Sequence, residues 1–220
     1  MTDPIGPNRG PQPIKAGVTA EPRPVAAAAA LPPLAKVKIP EATVEAAGKP
    51  GTFSYTTTMK MAAPPQKVLD ALQGDWNVWW KGGQQSNLVK HADGSASFDL
   101  APVHAPPAPD LIKVHVEVAA PRAEKVGDGY KVVLPVTLSG SFNGQAGFTI
   151  TQAPDGSTNV QSTWTDVAPH GTAKAMGGKA LDAHFRAENN ALRNLNNHLN
   201  GKPMHGLTGL LSNPLPVKRL

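Results

Sequence analysis

A single carboxylate interrupts the apolar stripe of a long helical segment near the end of the chain. Residues 173–199 carry apolar side chains at helical spacing. Glu188 lies in the middle of this stripe, about two turns after Leu181 and one turn before Leu192. Burying an unpaired carboxylate costs free energy, so this side chain needs a hydrogen-bonding partner or a polar cavity. Two interpretations follow: Glu188 is bonded within the fold, for example to an indole N–H, or it contacts a ligand or acts as an acid–base group.

The histidines give weaker indications of chemistry. His184 lies at the edge of the same stripe, which favours a boundary position over a catalytic one. His115 falls on the polar side of an alternating stretch, and His91 and His104 fall in a predicted turn and a predicted loop. No two histidines have the spacing of a zinc site, the Asp and Glu residues form no metal-binding cluster, and the phosphate-loop and dinucleotide motifs are missing. We therefore expect no metal and no cofactor, and we assign no catalytic residue.

Aromatic residues fall where a ligand cavity would need a lining. Trp76, Trp79 and Trp80 lie together in one short segment that is predicted to be helical. Because adjacent tryptophans do not both face a core, we expect two of them to be packed and one, with Trp79 as the candidate, to lie at a cavity mouth or in an exposed patch. Trp164 and Tyr130 fall on the apolar faces of predicted strands, where their polar atoms need partners.

The elements that must position these residues follow from hydrophobic periodicity. Residues 53–61 alternate apolar and polar side chains, which predicts a strand, and Pro64 then begins a short helix that Gly74 ends. Further strands are predicted at 87–90, 96–100, 111–118, 130–138, 146–150 and 160–164, with turns at 91–94, 127–129 and 154–156. Pro135 indicates an edge or a bulge in one of them. Only the helix predicted over 173–199 is large enough to cover the apolar face of such a sheet, which predicts an α+β fold.

Composition divides the chain into a domain and two tails. Residues 1–50 hold ten of the 23 prolines and no aromatic residue, which predicts a disordered N-terminal tail. Residues 51–200 form the expected domain. Residues 201–220, which are again rich in proline, are expected to form a flexible C-terminal tail.

Charge and composition also exclude several functions. The chain of 220 residues has no Cys and a net charge of +5 without a cluster of Lys and Arg, so we expect no nucleic-acid partner. No apolar run approaches the length of a membrane span, and the pattern of a signal peptide is missing, so we expect a cytoplasmic location. The oligomeric state is left open.

The order of elements and several segments resemble the START/SRPBCC superfamily, which includes birch-pollen-allergen-like and polyketide cyclase-like proteins. The similar segments are the opening strand 53–61, the helix region 63–72 after it, the late strands 147–151 and 159–164, and the closing helix. The resemblance covers about residues 52–200. It implies a helix-grip fold, in which a curved antiparallel sheet wraps around the C-terminal helix and leaves space for a ligand.

The resemblance implies that the chain binds or transports a hydrophobic small molecule or lipid in that space. One alternative is a polyketide cyclase-like or dehydratase-like enzyme that uses Glu188 as acid or base, with His184 or Tyr130 nearby. Another is a protein-interaction module that docks through its tails or through Trp79–Trp80. The residues expected to contact a ligand are Phe53, Tyr55, Trp79, Val114, Tyr130, Phe148, Trp164, His184, Phe185 and Glu188.

Overall fold

The computed structural model describes residues 23–24, 30–38, 49–102, 104 and 110–206, which form one sheet and three helices. The strands are β1 (Arg23–Pro24), β2 (Phe53–Met61), β3 (Gln84–Lys90), β4 (Ala96–Ala101), β5 (Val114–Val118), β6 (Arg122–Val126), β7 (Gly129–Gly140), β8 (Phe142–Gln152) and β9 (Thr158–Pro169). The helices are α1 (Pro65–Leu72), α2 (Gly171–Met176) and α3 (Gly178–Leu199), and a single 3-10 turn spans Trp76–Val78.

The strands form one curved antiparallel sheet in the order β2-β9-β8-β7-β5-β4-β3. β6 pairs with the first half of β7, and β1 pairs with β6. Alternate side chains are buried along β5 and β7, as the period of two predicts, and these side chains form one core with the apolar residues of α1 and α3. The predicted α+β helix-grip arrangement, with a sheet around the C-terminal helix, is confirmed.

Pro135 lies inside the sheet and not at an edge; the other predicted position, a bulge, fits better, because residues 119–121 lie opposite only residues 134–135 there. β7 pairs with β6 as far as Val133 and with β5 from Val136 onward. The Pro135 carbonyl accepts a hydrogen bond from the Ala119 N–H (2.9 Å) on this side of the strand. Because the nitrogen and carbonyl of a strand residue point the same way, the missing N–H faces the interval between β6 and β5. Pro135 therefore removes no hydrogen bond from the strand pairing.

The single helix predicted over 173–199 is wrong, because the chain interrupts it at Gly177. α2 ends at this residue and α3 begins at the next one. Gly177 has φ 55° and ψ −134°, a conformation that residues with a Cβ rarely adopt. α3 therefore starts anew over the sheet and carries Glu188 near its middle. No helix of the described residues combines the length and apolarity needed to cross a membrane.

Part of the segment before residue 50 joins the sheet. Residues 33–37 lie between β7 and β8 at the point where these two strands separate. The Tyr130 N–H donates to the Pro33 carbonyl (2.9 Å), and the Gln152 N–H donates to the Ala35 carbonyl (3.1 Å). These backbone bonds attach a piece of the predicted N-terminal tail to the domain. Most of the rest of that tail lies outside the described residues.

The chain beyond residue 200 turns back along α3. The His205 N–H donates to Oδ1 of Asn194 (2.8 Å), and the His205 carbonyl accepts from the side chains of Asn194 (2.7 Å) and Asn190 (3.2 Å). Both asparagines are buried, so these bonds supply the partners that buried amides require. Residues 207–220 of the predicted C-terminal tail lie outside the described part of the chain.

Candidate functional site

Glu188 is buried against the sheet and faces three hydrogen-bond donors. The Tyr55 hydroxyl donates to Oε2, the Ser162 hydroxyl donates to Oε1, and the Trp164 indole N–H donates to Oε1 at 3.0 Å. Tyr55 on β2 and Trp164 on β9 are partners in the strand register, and Ser162 lies two residues away on the same side of β9. The strand pairing thus brings all three donors to one place. The interpretation that Glu188 is bonded to an indole N–H is confirmed.

His184 lies one helical turn before Glu188 and is buried in the same group of side chains. Its Nε2 is 2.7 Å from the Tyr55 hydroxyl oxygen, and its ring packs against the Trp164 ring with centroids 4.1 Å apart. Nδ1 is buried and has no hydrogen-bond partner among the described residues. The predicted boundary position is wrong, because the aromatic residues of β2 and β9 cover this edge of α3. We call Tyr55, Ser162, Trp164, His184 and Glu188 the Glu188 cluster.

Burial favours the uncharged form of each ionisable group in the Glu188 cluster. Burial raises the pKa of Glu188, while the hydrogen bonds from Ser162, Tyr55 and Trp164 act in the opposite direction. Burial lowers the pKa of His184 to about 3, so its imidazole is neutral near pH 7. Burial raises the pKa of Tyr55, and the neighbouring Glu188 carboxylate raises it further, so the side chain stays a neutral phenol. His184 is the only basic side chain of the described residues within salt-bridge distance of Glu188, with 3.9 Å between Nε2 and Oε2.

A small cavity lies between the sheet and α3, beside this cluster. Its volume is about 30 Å³, which is room for one or two water molecules. Ser162, Trp164, His184 and Glu188 are among its lining residues, although the surface that the wall presents to the cavity is apolar. The apolar wall includes Trp76, Trp80, Leu100, Val114, Val116, Val136, Leu138, Ala146 and Phe148.

The predicted ligand contacts fall into two groups. Five of them line the cavity: Val114, Phe148, Trp164, His184 and Glu188. The other five, Phe53, Tyr55, Trp79, Tyr130 and Phe185, are not among the lining residues. Phe53 and Phe185 pack against Tyr55, whose hydroxyl reaches the cluster from outside the cavity wall. Tyr130 lies at the far end of β7, next to residues 33–37.

The three neighbouring tryptophans are all buried, so none of them forms an exposed patch, which was one of the two positions expected for the third tryptophan. Their indole N–H groups donate to the carbonyls of Leu72, Ala71 and Pro102 for Trp76, Trp79 and Trp80 respectively. The 3-10 turn directs all three rings inward, with Trp76 and Trp80 stacked at a centroid distance of 5.5 Å. Trp76 and Trp80, not the predicted Trp79, line the cavity. Because Trp79 and Trp80 are buried, they form no exposed docking surface.

Ser162 is the site residue that sequence reasoning missed. It lies between Val160 and Trp164 on the apolar side of β9, and it is almost completely buried. A small polar residue on an otherwise apolar strand face was the available signal. The pattern did not identify its partner, because Glu188 lies on a different element.

A second group of polar residues lies on the outer face of the sheet. Asp99 accepts hydrogen bonds from the Asn87 amide (2.7 Å) and pairs with His115 Nδ1 (2.8 Å), and these two bonds lower the pKa of its carboxyl. The three residues border an open groove of about 460 Å³. Leu100 and Val114 line both this groove and the inner cavity. Among the described residues there is no group of His, Asp and Glu side chains that could hold a metal ion.

Comparison with known proteins gives likenesses of structure only. No protein-family model and no curated protein matches the sequence. Similar solved structures include the lipid transfer and protein localization domain of human StarD13 (13% identity, TM-score 0.48, 68% of this chain and 78% of that one). A conserved protein from Geobacillus kaustophilus is similar too (14% identity, TM-score 0.47, 67% and 95%), as is the KanY protein (24% identity, TM-score 0.38, 69% and 99%). Likenesses at this level concern the course of the chain and not its activity.

Proposed function

We propose that the protein binds a small, mostly apolar molecule in the cavity between the sheet and α3, with the polar group of the ligand against the Glu188 cluster. The observation that carries this proposal is a buried carboxylate, with a buried imidazole beside it, that borders a space whose other lining residues are mostly apolar. Binding sites for small molecules combine apolar walls with a few polar groups in this way.

The cost of the cluster supports a binding role over a purely structural one. Buried ionic groups can often be replaced by well-packed apolar residues without loss of stability. Nδ1 of His184 has no partner among the described residues, and because a buried polar atom without a hydrogen bond costs about 1–3 kcal/mol, this nitrogen favours a bound partner. Buried ionisable groups with shifted pKa values are concentrated at functional sites, so a ligand that meets this cluster accounts for its presence.

The size of the cavity restricts the ligand and requires the wall to move. A cavity that holds benzene has a volume of about 150 Å³, and the cavity beside the cluster measures about 30 Å³. A ligand is therefore admitted by displacement of wall side chains, and a small molecule needs less displacement than a lipid. Leu100 and Val114, which are partners in the pairing of β4 with β5, line both the cavity and the outer groove.

Catalysis by Glu188 is the second candidate, and the hydrogen bonds of the cluster argue against it in its simplest form. A carboxylate has about four acceptor positions, and three donors already occupy three of those of Glu188. A general base must reach the proton that it abstracts. If the site performs acid–base chemistry of the cyclase type, Nδ1 of His184 is the atom that is free to do it.

Nuclear magnetic resonance titration tests the binding proposal. The probes are indole, indene and indanone, which share a bicyclic shape and differ in their polar group. We expect saturable shifts of the Trp164 indole resonance. Leu138→Ala should tighten binding, because Leu138 belongs to the cavity wall and its loss adds space of roughly benzene size.

Leu72→Ala is the matched control. Leu72 is equally buried, but it lies on α1 and does not line the cavity. The control variant should leave the shifts at Trp164 as they are in the unaltered chain. If no probe moves the Trp164 resonance in the unaltered chain or in folded Leu138→Ala, the proposed function is wrong.

A further inference from the structure

The hydrogen bonds of the Glu188 cluster run in a fixed direction. The Trp164 indole can only donate, and it donates to Oε1 of Glu188. The Ser162 hydroxyl donates to the same oxygen. When Glu188 is ionised, Oε2 accepts the hydrogen of the Tyr55 hydroxyl.

This direction determines which nitrogen of His184 carries the hydrogen. The Tyr55 hydroxyl has one hydrogen, which it donates to the ionised Glu188 carboxylate. The Tyr55 oxygen must therefore accept the hydrogen bond that links it to His184 Nε2 at 2.7 Å. A neutral imidazole that donates from Nε2 has an unprotonated Nδ1. Nδ1 of His184 is then a hydrogen-bond acceptor, and it is the atom of this ring that has no partner among the described residues.

Resting on the proposed function, we propose that His184 Nδ1 is the polar contact for the ligand, and that Glu188 acts through Tyr55 as a positioning residue that makes Nδ1 an acceptor. The ligand class follows from this polarity. It is a small apolar molecule that carries a hydrogen-bond donor, such as an alcohol, a phenol or an aromatic N–H. A ligand that offers only a carbonyl leaves Nδ1 unpaired and is disfavoured.

Glu188→Gln should reverse the polarity of the whole chain of hydrogen bonds. The amide oxygen must face the two donors Ser162 and Trp164, so the amide nitrogen faces Tyr55. The amide donates to the Tyr55 oxygen, the Tyr55 hydrogen turns to His184 Nε2, and the imidazole hydrogen moves to Nδ1. Nδ1 then donates, and the preferred ligand is a carbonyl compound.

Protonation of Glu188 has the same consequence as this substitution, and burial raises the pKa of Glu188. The tautomer of His184 is therefore followed from about pH 6 to about pH 10, because a buried carboxyl group can ionise as late as about pH 8–9; the predicted state is the one at the upper end of this range. The groups of the described residues that bond to Glu188 are Tyr55 on β2 and Ser162 and Trp164 on β9. His184 is the neighbour on α3 itself, and no Lys or Arg of the described part forms a salt bridge there.

The first measurement needs no ligand. Nitrogen chemical shifts of the imidazole distinguish an unprotonated ring nitrogen from one that carries hydrogen. In the unaltered chain we expect His184 Nδ1 to be unprotonated and Nε2 to carry the hydrogen. The two should exchange roles in Glu188→Gln, whereas Glu124→Gln, the same change at a half-exposed position on β6, should leave them as they were.

The second measurement compares the three probes in the Leu138→Ala background. Indole donates one hydrogen bond, indanone only accepts, and indene does neither. We expect indole to bind about tenfold more tightly than indanone, and the order to reverse with Glu188→Gln added, since one buried hydrogen bond is made or left unpaired. Glu124→Gln added instead should preserve the preference for indole.

The outcomes separate this inference from the proposed function. If indene, indole and indanone all fail to bind, the cavity is not a ligand site and the proposed function is wrong. If indene and indole bind but Glu188→Gln leaves both the tautomer of His184 and the order of indole and indanone unchanged, the cavity is a site and the inference about His184 is overturned.

Discussion

At the scale of single residues, the Glu188 cluster is an acidic and a basic group that are buried side by side and joined by one phenol. Tyr55 makes a hydrogen bond to each of them. The phenol lies outside the cavity wall, so its contribution is to connect and orient the two groups and not to contact a ligand.

Tyr55→Phe should destabilise the fold by about 1–3 kcal/mol, because it leaves Glu188 Oε2 and His184 Nε2 without their shared partner. Urea unfolding measures this loss. The chain has one other tyrosine, Tyr130, which is half-buried and lies outside the cluster, so Tyr130→Phe is a matched control with an expected change near zero. Equal effects of the two substitutions would contradict the role given to Tyr55.

The dependence of stability on pH should carry the signature of His184. Its pKa is lowered from 6.5 to about 3 by burial, so between these values the unfolded chain binds a proton that the folded chain does not. The free energy of unfolding should therefore fall as pH falls below 6.5, by at most about 1.4 kcal/mol per pH unit. The raised pKa of Glu188 acts in the opposite sense: its contribution is complete below about 4.5 and is lost as pH rises through the folded value.

His184→Gln separates these two contributions. The difference in free energy of unfolding between the unaltered chain and this variant should shrink steadily as pH is lowered from 6.5 toward 4.5, because only the unaltered chain has the buried imidazole. Urea unfolding at a series of pH values measures it. A difference that does not vary with pH would show that His184 is not held neutral by burial.

Sequence reasoning located Glu188 in this cluster but not its partners. Helical spacing placed Glu188 on an apolar stripe, which required a partner. Ser162 and Tyr55 were not recognisable as those partners, because the pairing of β2 with β9 joins residues more than a hundred positions apart. His184 was misplaced because the edge of a helical stripe is buried wherever large side chains cover it.

At the scale of elements, the break between α2 and α3 sets where α3 begins on the sheet. Two glycines in succession weaken a helix, but composition does not say whether such a pair bends the helix or ends it. Here Gly177 has a positive φ and ends α2, while Gly178 is the first residue of α3.

Gly177→Ala should therefore be unfavourable by about 1–2 kcal/mol through backbone strain alone, since no atom lies within 4 Å of an added Cβ. Gly206→Ala, where an added Cβ also meets no atom within 4 Å and φ is not positive, should change the stability little. Thermal unfolding of the two single variants compares them directly. The account of the break would be contradicted if Gly177→Ala were the more stable of the two.

Alternation and turn residues were sufficient to predict most strands and α1. They failed at β6, which has a single buried residue, Ala123, among its five, and therefore lacks a clear period of two. They also failed at the 3-10 turn, where three indoles bury themselves because each finds a carbonyl for its N–H. The hydrogen bonds of these indole N–H groups depend on which carbonyls lie nearby in the fold, and hydrophobic periodicity does not predict that.

At the scale of the whole molecule, the sheet and α3 enclose the core and a small cavity within it. The cavity lies next to Glu188, which is the only buried carboxylate among the described residues. The predicted architecture is confirmed, while the space between sheet and helix measures only about 30 Å³. Volume is set by the packing of side chains from several strands, which a pattern of apolar positions does not fix.

The ends of the domain were also beyond prediction from composition. Residues 33–37 belong to the proline-rich segment 1–50 that was predicted to be a tail, yet their backbone groups form hydrogen bonds with Tyr130 on β7 and Gln152 on β8. Residues 201–206 are held by buried asparagines of α3. Both attachments use backbone N–H and carbonyl groups, which nearly every residue has, so amino-acid composition does not predict them.

The most direct test of a ligand site at the Glu188 cluster is a crystal structure of Leu138→Ala soaked with indole. The account predicts indole in the enlarged cavity between α3 and the sheet, with its N–H within hydrogen-bond distance of His184 Nδ1. A cavity that has collapsed, or that holds only water while indole is bound elsewhere or not at all, would contradict it.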